Sequence, residues 1–282
     1  MKVVSLIENN RLPHRQDLHA EPGLALGIFS ESRRILFDTG ISGAFASNAR
    51  KLDVDLAEMD LAVISHHHFD HGGGLAAFLE ANNRAQVYLR RSETERFYLK
   101  LFGPFKRPIG LDENLIQRNI QRFSFIDQLT EIAEGVFVLT RIGRQHPTPK
   151  GNRHLLKSSG TSNKPDDFEH ELILVVRENG ALTVFTGCSH HGILNMLDAV
   201  VEHFPGQPIK ALFGGFHLID HPLIYNMALS PAEIRELGRA ILNYSIEKVY
   251  TGHCTGKKAY PFLREAMGER LETMTTGFQV EL

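Results

Sequence analysis

The stretch Ile64-Ser65-His66-His67-His68-Phe69-Asp70-His71-Gly72-Gly73-Gly74 follows directly on an apolar run. The apolar run indicates a buried strand, and the glycines after it let the backbone bend tightly. Because side chains alternate along an extended segment, His66 and His68 point to the same side and can bind one metal ion. Asp70 and His71 follow at the turn into a helix, where they can bind a second ion. The stretch therefore predicts a metal site at the end of a strand; a solvated histidine run is the disfavoured alternative.

The type of side chain in this stretch limits the choice of metal. Imidazole and carboxylate groups together suit zinc, iron or manganese better than magnesium or calcium alone. We therefore expect two divalent metal ions as cofactors, with zinc favoured and iron or manganese as alternatives.

Secondary structure is indicated by short apolar runs bounded by glycine, aspartate or charged residues, a pattern typical of strands. These runs cover 3–7, 24–29, 34–37, 61–65, 86–89, 136–140, 172–177, 182–185, 209–213 and 248–251. Helical patterns cover about 73–81, 192–203, 231–244 and 259–268, and the third starts with a capping serine and a proline. Strand pairs followed by strand–helix alternation predict mixed sheets covered by helices.

Two stretches show no clean periodicity, at about 90–130 and about 143–168. The second is rich in proline, glycine, serine, asparagine and lysine. Long loops in a compact domain are uncommon unless they are functional or disordered. We therefore expect loop or insert regions near the active site, with a mobile surface insert as the alternative for the second.

The composition excludes several classes of protein. A chain of 282 residues suits one large domain, so a single domain over 1–282 is expected. The net charge of −2 gives no reason for an obligatory nucleic-acid partner. The apolar N-terminal stretch is too short for a signal peptide, and no apolar run approaches the roughly 18 residues of a membrane span. Since Cys188 and Cys254 cannot form a disulfide framework, a cytoplasmic protein without a membrane partner is expected, and a homo-oligomer is left open.

The pattern His66-x-His68-x-Asp70-His71 resembles the signature of the metallo-β-lactamase superfamily. This resemblance implies an α/β (α+β) fold, the αββα sandwich of two mixed β-sheets flanked by helices, with one or two metals at the sheet edges. The stretch Leu36-Phe37-Asp38-Thr39-Gly40 resembles the first motif of the superfamily, whose aspartate supports the ligand histidines. A supporting carboxylate fixes the tautomer and orientation of a metal-binding imidazole, which is the role expected for Asp38.

Three further motifs each end an apolar strand with glycine and histidine, at 186–193, 214–218 and 251–256. Together with Glu8-Asn9 and the stretch HAEPGLAL at 19–26, they resemble one branch of the superfamily across nearly the whole chain. That branch carries the label of metal-dependent hydrolases of the dihydropterin-ribofuranosylaminobenzene phosphate synthase type. One archaeal member is associated with joining a pterin to a ribofuranosyl-aminobenzene phosphate.

The rest of the metal-ligand set is implied by the same resemblance. His190 is expected to complete the first metal site, which His66 and His68 begin. His253 is expected to complete the second site, with the aspartate and histidine at the turn into the helix.

Two positions keep alternative interpretations. Many superfamily members have a metal-bridging aspartate where this chain has Cys188, which is either a thiolate ligand or a small buried residue that closes a strand. His217 is a ligand, a donor that supports a ligand, or a group that polarises the substrate. His67 and His191 are expected to point away from the metals, and the other histidines, among them His146, His154 and His170, are expected to lie in solvent.

The favoured function is a binuclear metal-dependent hydrolase, in which a metal-bridging hydroxide attacks a phosphoester or similar small anionic substrate. Asp70 and His217 are the candidate catalytic groups. The candidate substrate-binding cations are Lys106, Arg107 and Lys257. The alternatives are a dihydropterin-type transferase, a di-iron redox enzyme and a non-catalytic metal or ligand sensor.

Overall fold

The computed structural model of the protein describes residues 1–92, 96–159, 162–221 and 223–282. The chain forms two compact units. Unit 1 comprises Met1–Glu93, Ile109–Asp127 and Met274–Leu282, and unit 2 comprises Thr94–Pro108 and Gln128–Thr273. Each unit buries an apolar core of its own. The single domain expected over 1–282 stays a prediction.

The described strands and helices are numbered in chain order. The strands are β1 (Lys2–Ile7), β2 (Ala25–Phe29), β3 (Arg34–Phe37), β4 (Leu61–Val63), β5 (Gln86–Arg90), β6 (Arg96–Lys100), β7 (Lys106–Pro108), β8 (Phe123–Ile126), β9 (Thr130–Ala133), β10 (Val136–Leu139), β11 (Leu155–Ser159), β12 (Ser162–Pro165), β13 (Ile173–Glu178), β14 (Ala181–Phe185), β15 (Ile209–Gly214), β16 (Ile246–Thr251), β17 (Leu271–Thr273) and β18 (Gln279–Glu281). The α-helices are α1 (Ala44–Lys51), α2 (Phe69–Gly72), α3 (Leu75–Ala81), α4 (Glu113–Arg118), α5 (Ile193–His203), α6 (Pro231–Leu242) and α7 (Tyr260–Met267).

Unit 1 contains a seven-stranded mixed sheet in the order β18-β1-β2-β3-β4-β5-β8. The strands from β18 to β3 pair antiparallel, and those from β3 to β8 pair parallel. In the parallel part, Phe37 lies opposite Val63, so that β3 and β4 end at the same edge of the sheet. This register brings Asp38, which follows β3, to the start of the histidine-rich loop after β4.

Unit 2 contains a second seven-stranded mixed sheet, in the order β17-β16-β15-β14-β13-β10-β9. Here β14, β15, β16 and β17 pair parallel, while β9, β10, β13 and β14 pair antiparallel. The carboxyl ends of β14, β15 and β16 therefore share one edge. Each of these ends leads into one of the glycine–histidine motifs.

Unit 2 also contains a four-stranded antiparallel sheet, in the order β12-β11-β6-β7. Its strands fall in the two stretches for which the sequence indicated loops or inserts. Those stretches also contain α4 and β8, so both hold regular elements. The sequence pattern did not reveal these strands because they pair between distant segments, for example Leu155 with Leu99. Such pairing does not require a regular alternation of apolar and polar residues within each strand.

The α/β class with mixed sheets and helices is confirmed. Each predicted strand run and helical pattern contains an observed element, with ends that differ by a few residues. The helix α1 was not predicted, and its first turn has no side-chain cap, so the usual start signal is missing. No helix among the described residues is both long and apolar enough to cross a membrane.

Candidate metal centre

In unit 1 the candidate ligands lie on the segment that leads from β4 into α2: His66 and His68 precede the helix, and Asp70 and His71 lie within it. His66, His68 and His71 are buried. The ring centroids of His66 and His68 are 4.6 Å apart, and those of His66 and His71 are 4.2 Å apart. The Nε2 atom of His71 is 3.8 Å from a carboxylate oxygen of Asp70. The loop thus gathers three imidazoles, with a carboxylate beside one of them.

A single buried carboxylate, that of Asp38, orients this loop. Its Oδ1 accepts the backbone N–H of Ser65 at 2.7 Å, and its Oδ2 accepts the Ser65 hydroxyl at 2.8 Å. The Nδ1–H of His71 donates to the same Oδ2 at 2.6 Å. Because the Ser65 hydroxyl gives its hydrogen to Asp38, it accepts from Nδ1 of His66 at 2.9 Å. Both imidazoles therefore direct Nε2, the nitrogen with the lone pair, away from this network, as metal-binding histidines do.

The backbone around the loop is held closely by its neighbours. The N–H of Thr39 donates to the carbonyl of His71 at 2.7 Å, and that of Phe69 to the carbonyl of Ile109 at 2.8 Å. A Cβ atom at Gly23 would lie 2.5 Å from the carbonyl oxygen of Asp70, and the φ of Gly23 is +140°. Only glycine allows the HAEPGLAL stretch to pack against the ligand loop in this way.

In unit 2 the candidate ligands come from three strand ends: Cys188 and His190 follow β14, His217 follows β15, and His253 follows β16. The Sγ atom of Cys188 is 3.3 Å from Nε2 of His253. The ring centroids of His190 and His217 are 4.3 Å apart. One ligand atom each of Cys188, His190 and His217 lies within 4.8 Å of the others. The three motifs thus bring their metal-binding groups together.

Backbone strain accompanies these positions. Ser189, His217 and His253 have φ values of 59°, 47° and 49°, in the left-handed region that costs energy for residues other than glycine. The hydroxyl of Ser189 donates to the carbonyl of Gly215 at 2.7 Å, which joins the segment after β14 to the segment after β15. Asp38 in unit 1 has a φ of 59°. Strained residues thus occur beside the candidate ligands of both units.

Three residues that the sequence analysis did not single out hold His190. The buried carboxylate of Glu171 accepts the N–H of His190 at 2.8 Å, and the N–H and Nδ1–H of His191 at 2.9 Å each. Asn152 accepts from Nδ1 of His190 at 3.0 Å and donates to its carbonyl at 2.7 Å. The ring of Phe168 stacks on the imidazole at 4.3 Å. Asn152 orients His190 much as Asp38 orients His71. Neither a sequence motif nor a spacing marks Asn152 as a supporting residue.

The second cysteine, Cys254, packs between two of these segments. Its sulfur accepts the N–H of His217 at 3.3 Å and donates to the carbonyl of Cys188 at 3.5 Å. Burial raises the pKa of the Cys254 thiol, but a hydrogen bond with the side chain of Cys188 and the charges of His253 and His217 outweigh burial and bring the pKa well below its ordinary value.

The predicted substrate-binding cations are exposed. The ammonium of Lys106 donates to Asn163 at 2.7 Å and lies 3.9 Å from the centroid of the Tyr98 ring, so it contacts the four-stranded sheet rather than a candidate ligand. Arg107 is its neighbour on β7, and Lys257 lies just before α7. Their role in substrate binding stays a prediction.

The histidines expected in solvent behave differently from one another. His146 and His154 keep side-chain exposures of 39% and 21%. His170 and His221 are buried, so the expectation was wrong for these two residues. The Nε2 atom of His170 is 3.1 Å from a carboxylate oxygen of Asp166, and Phe97 packs on its ring at 4.3 Å. Folding places the Asp166 carboxylate and the Phe97 ring beside His170, and these contacts offset the cost of burying its imidazole.

The donor set fits divalent metal ions. Imidazole nitrogens, a thiol and a carboxylate are the groups that bind zinc and the neighbouring transition metals. In both units these groups are largely buried and held by hydrogen bonds. The Nδ1 atom of His217 is buried and has no hydrogen-bond partner within the described parts of the chain.

Comparisons with known proteins agree on one family. The sequence model that represents the metallo-β-lactamase superfamily matches residues 22–194 of this chain. A 7,8-dihydropterin-6-methyl-4-(β-D-ribofuranosyl)-aminobenzene-5'-phosphate synthase of Methanocaldococcus jannaschii is 27% identical over 273 residues, which cover 92% of this chain and 89% of that protein.

Solved structures share the fold. The crystal structure of Tm1679, described as a metal-dependent hydrolase of the β-lactamase superfamily, aligns with a TM-score of 0.83 and 31% identity, covering 100% of this chain and 99% of that one. Zn²⁺-bound PqqB from Methylobacterium extorquens aligns with a TM-score of 0.57 at 10% identity, over the whole of both chains. The second likeness concerns the fold alone.

Proposed function

Because the chain belongs to the metallo-β-lactamase superfamily, we propose that it is a metal-dependent hydrolase of small anionic substrates, with phosphoesters as the favoured class. The observation that carries the proposal is the buried hydrogen bond of 2.6 Å between Asp38 and His71. A buried carboxylate on the Nδ1 atom of an imidazole fixes the tautomer in which Nε2 can bind a metal. The Ser65 hydroxyl extends the same effect to His66.

The proposed ligand set is the one expected from the sequence, with zinc as the favoured ion. Divalent ions held by these residues would supply Lewis acidity, which makes water a stronger nucleophile near neutral pH. The two sets of proposed ligands are His66, His68 and His190 for the first ion, and Asp70, His71 and His253 for the second.

The chain's own side chains supply the remaining steps of the proposed reaction. The Asp70 side chain is 23% exposed, whereas those of Asp38 and His71 are fully buried, so Asp70 is the carboxylate of its loop that water reaches. We assign to it the orientation of the attacking water, whose proton it accepts. His217 is proposed to donate a hydrogen bond to the anionic group of the substrate.

A panel of phosphomonoesters and phosphodiesters tests the proposal, with the purified full chain loaded with zinc. We expect Asp70→Asn to lower kcat by about 10²-fold or more, because it removes a carboxylate that handles a proton. The matched control is Asp127→Asn, since the Asp127 side chain is 62% exposed. Zinc binding without turnover of any ester would contradict the hydrolase proposal and favour a transferase or a sensor.

A dihydropterin-type transferase is the second candidate. It is favoured by the 27% identity to the Methanocaldococcus jannaschii synthase, which extends over 92% of this chain. A transferase of this kind would pass a pterinylmethyl group from a pterin diphosphate to a ribofuranosyl-aminobenzene phosphate instead of to water, with diphosphate as the leaving group. Mass spectrometry of a mixture of these two substrates separates the candidates: a joined product supports transfer, and pterin alcohol with free diphosphate supports hydrolysis.

A further inference from the structure

Two segments of unit 2 carry the most exposed large apolar side chains that the structure describes. The hairpin between β6 and β7 presents Phe102 and Phe105, which are 68% and 71% exposed. The segment between β15 and α6 presents Leu223, Ile224 and Tyr225, each roughly half exposed. These five side chains are the apolar patch of unit 2. Single exposed apolar residues are common on soluble proteins, whereas a contiguous group of them marks an interaction surface.

The imidazole of His221 joins the two segments of the apolar patch. Its Nε2–H donates to the carbonyl of Lys100 at 3.3 Å, and the Phe102 ring stacks on it with the ring centroids 6.1 Å apart. Its Nδ1 accepts the N–H of Leu223 at 3.2 Å. Because one buried side chain holds both segments, their exposed apolar residues form one continuous surface rather than two separate ones.

The charges beside the apolar patch are positive. The stretch 96–108 contains no acidic residue and four basic ones: Arg96, Lys100, Lys106 and Arg107. Lys100 lies opposite Lys106 in the pairing of β6 with β7, and neither ammonium forms an ion pair with a residue that the structure describes. The carboxylate next to His221, that of Asp220, is already paired with Arg153 at 2.8 Å. Like charges directly opposite each other destabilise a strand pair, so an anionic surface from outside the chain would stabilise this hairpin.

We propose that the apolar patch docks on an anionic lipid bilayer, with its aromatic rings in the interface and Lys100, Lys106 and Arg107 at the lipid phosphates. Aromatic side chains favour the boundary between lipid and water, and each cation near an anionic surface adds to the attraction. The expectation of no membrane partner rested on the lack of a spanning segment, and a contact at the surface requires none. A second copy of the chain fits less well, because a symmetric contact brings two basic hairpins together. The proposal is independent of the metal centre.

Tryptophan fluorescence tests the contact directly, because the chain contains no tryptophan of its own. The full chain with Phe102→Trp is mixed with vesicles of equal parts phosphatidylglycerol and phosphatidylcholine, and with vesicles of phosphatidylcholine alone. We expect the emission maximum to shift to shorter wavelength with the anionic vesicles only, and the shift to decrease in high salt. Leu129→Trp places the same reporter at an exposed apolar position of unit 2 outside the patch, where we expect no shift.

Cosedimentation with the same anionic vesicles measures what each side chain contributes to binding. Phe102→Ser and Phe105→Ser should each lower the partition coefficient by about tenfold or more, because each removes an aromatic ring that binding takes out of water. Lys106→Gln should lower it by about fivefold, the contribution of one cation at an anionic surface. The matched controls Leu129→Ser and Lys210→Gln, at exposed positions outside the patch, should bind as the wild type does.

Three results would each overturn the membrane contact: no binding to the anionic vesicles, equal binding to the neutral vesicles, or undiminished binding by Phe102→Ser. Light scattering identifies the alternative occupant. If the wild type does not bind vesicles but is a dimer, and Phe105→Ser is a monomer, the apolar patch is an interface between two copies of the chain instead.

Discussion

Unit 1 and unit 2 hold their candidate ligands in different ways. In unit 1 the ligands follow one strand in one continuous segment, and a single carboxylate, Asp38, sets the orientation of two imidazoles. In unit 2 they follow three parallel strands, and separate side chains hold them, among them Glu171 and Asn152. The orientation of a contiguous ligand set can thus depend on one buried group, whereas the orientation of a dispersed set depends on several. The comparison predicts one large mutational effect in unit 1 and smaller ones in unit 2.

The largest effect is expected for Asp38→Ala. This change leaves the backbone N–H of Ser65 and the imidazole of His71 buried without their acceptor. We expect the free energy of unfolding of the metal-free protein to fall by about 3–5 kcal/mol, measured by urea denaturation. Asp38→Asn keeps an acceptor oxygen and should lose less stability, but its metal affinity should fall by about 10- to 100-fold. If Asp38→Ala unfolded at the same urea concentration as Asp127→Ala, the dominance of this carboxylate would be refuted.

A smaller effect is expected for Glu171→Gln in unit 2. The glutamine oxygen can replace one carboxylate oxygen, but the amide nitrogen cannot accept from the N–H groups of His190 or His191. We expect a loss of about 1–3 kcal/mol in the free energy of unfolding, because a buried N–H group is left without an acceptor. The exposed Glu202 provides the matched control as Glu202→Gln. A loss larger than that of Asp38→Ala would reverse the proposed difference between the units.

Ser230→Ala separates stability from ligand positioning within unit 2. Ser230 and Glu233 form a capping box at the start of α6, a helix that carries none of the proposed ligands. Loss of the cap should lower the free energy of unfolding by about 1 kcal/mol, with metal affinity unchanged. Ser230→Asn retains a good capping side chain and should restore most of the stability. A fall in metal affinity for Ser230→Ala would show that α6 contributes to the ligand geometry.

The smallest effect concerns acid stability at the same helix. Hydrogen bonds from Lys150 and Ser230 hold the pKa of Glu233 at about 2, below the ordinary 4.5. Because the pKa is lower in the folded state, the stabilisation is present above about pH 4.5 and is lost as the pH falls towards 2. Glu233→Gln should therefore flatten the dependence of unfolding free energy on pH in this window. An unchanged pH dependence would contradict this role, and Glu202→Gln again serves as the exposed control.

Most of the sheet architecture could be predicted from the sequence because apolar runs mark buried strands locally. The four-stranded sheet of unit 2 could not, since its stability comes from pairing between segments far apart in the chain. Lys157 on β11 faces Phe97 on β6, a pairing that no local pattern indicates. Helix α1 also lacked a signal, because no capping side chain marks its start.

The candidate site also has a part that the sequence predicts and a part that it does not. The sequence places His66, His68 and His71 on one short segment, so the motif was visible before folding. Glu171 and Asn152 become neighbours of His190 only in the folded chain, and each is an ordinary polar residue in its own segment. Spacing along the sequence reveals ligands that share a loop, but not the groups that support them from other segments.

Metal content per chain is the most direct test of the central proposal that this chain binds two divalent ions through the proposed ligands. Elemental analysis should compare the wild type with His68→Ala in unit 1, His253→Ala in unit 2 and the exposed control His14→Ala. We predict two ions in the wild type and in His14→Ala, and about one ion in each of the other variants. One ion or none in the wild type, unchanged by either His68→Ala or His253→Ala, would contradict the account.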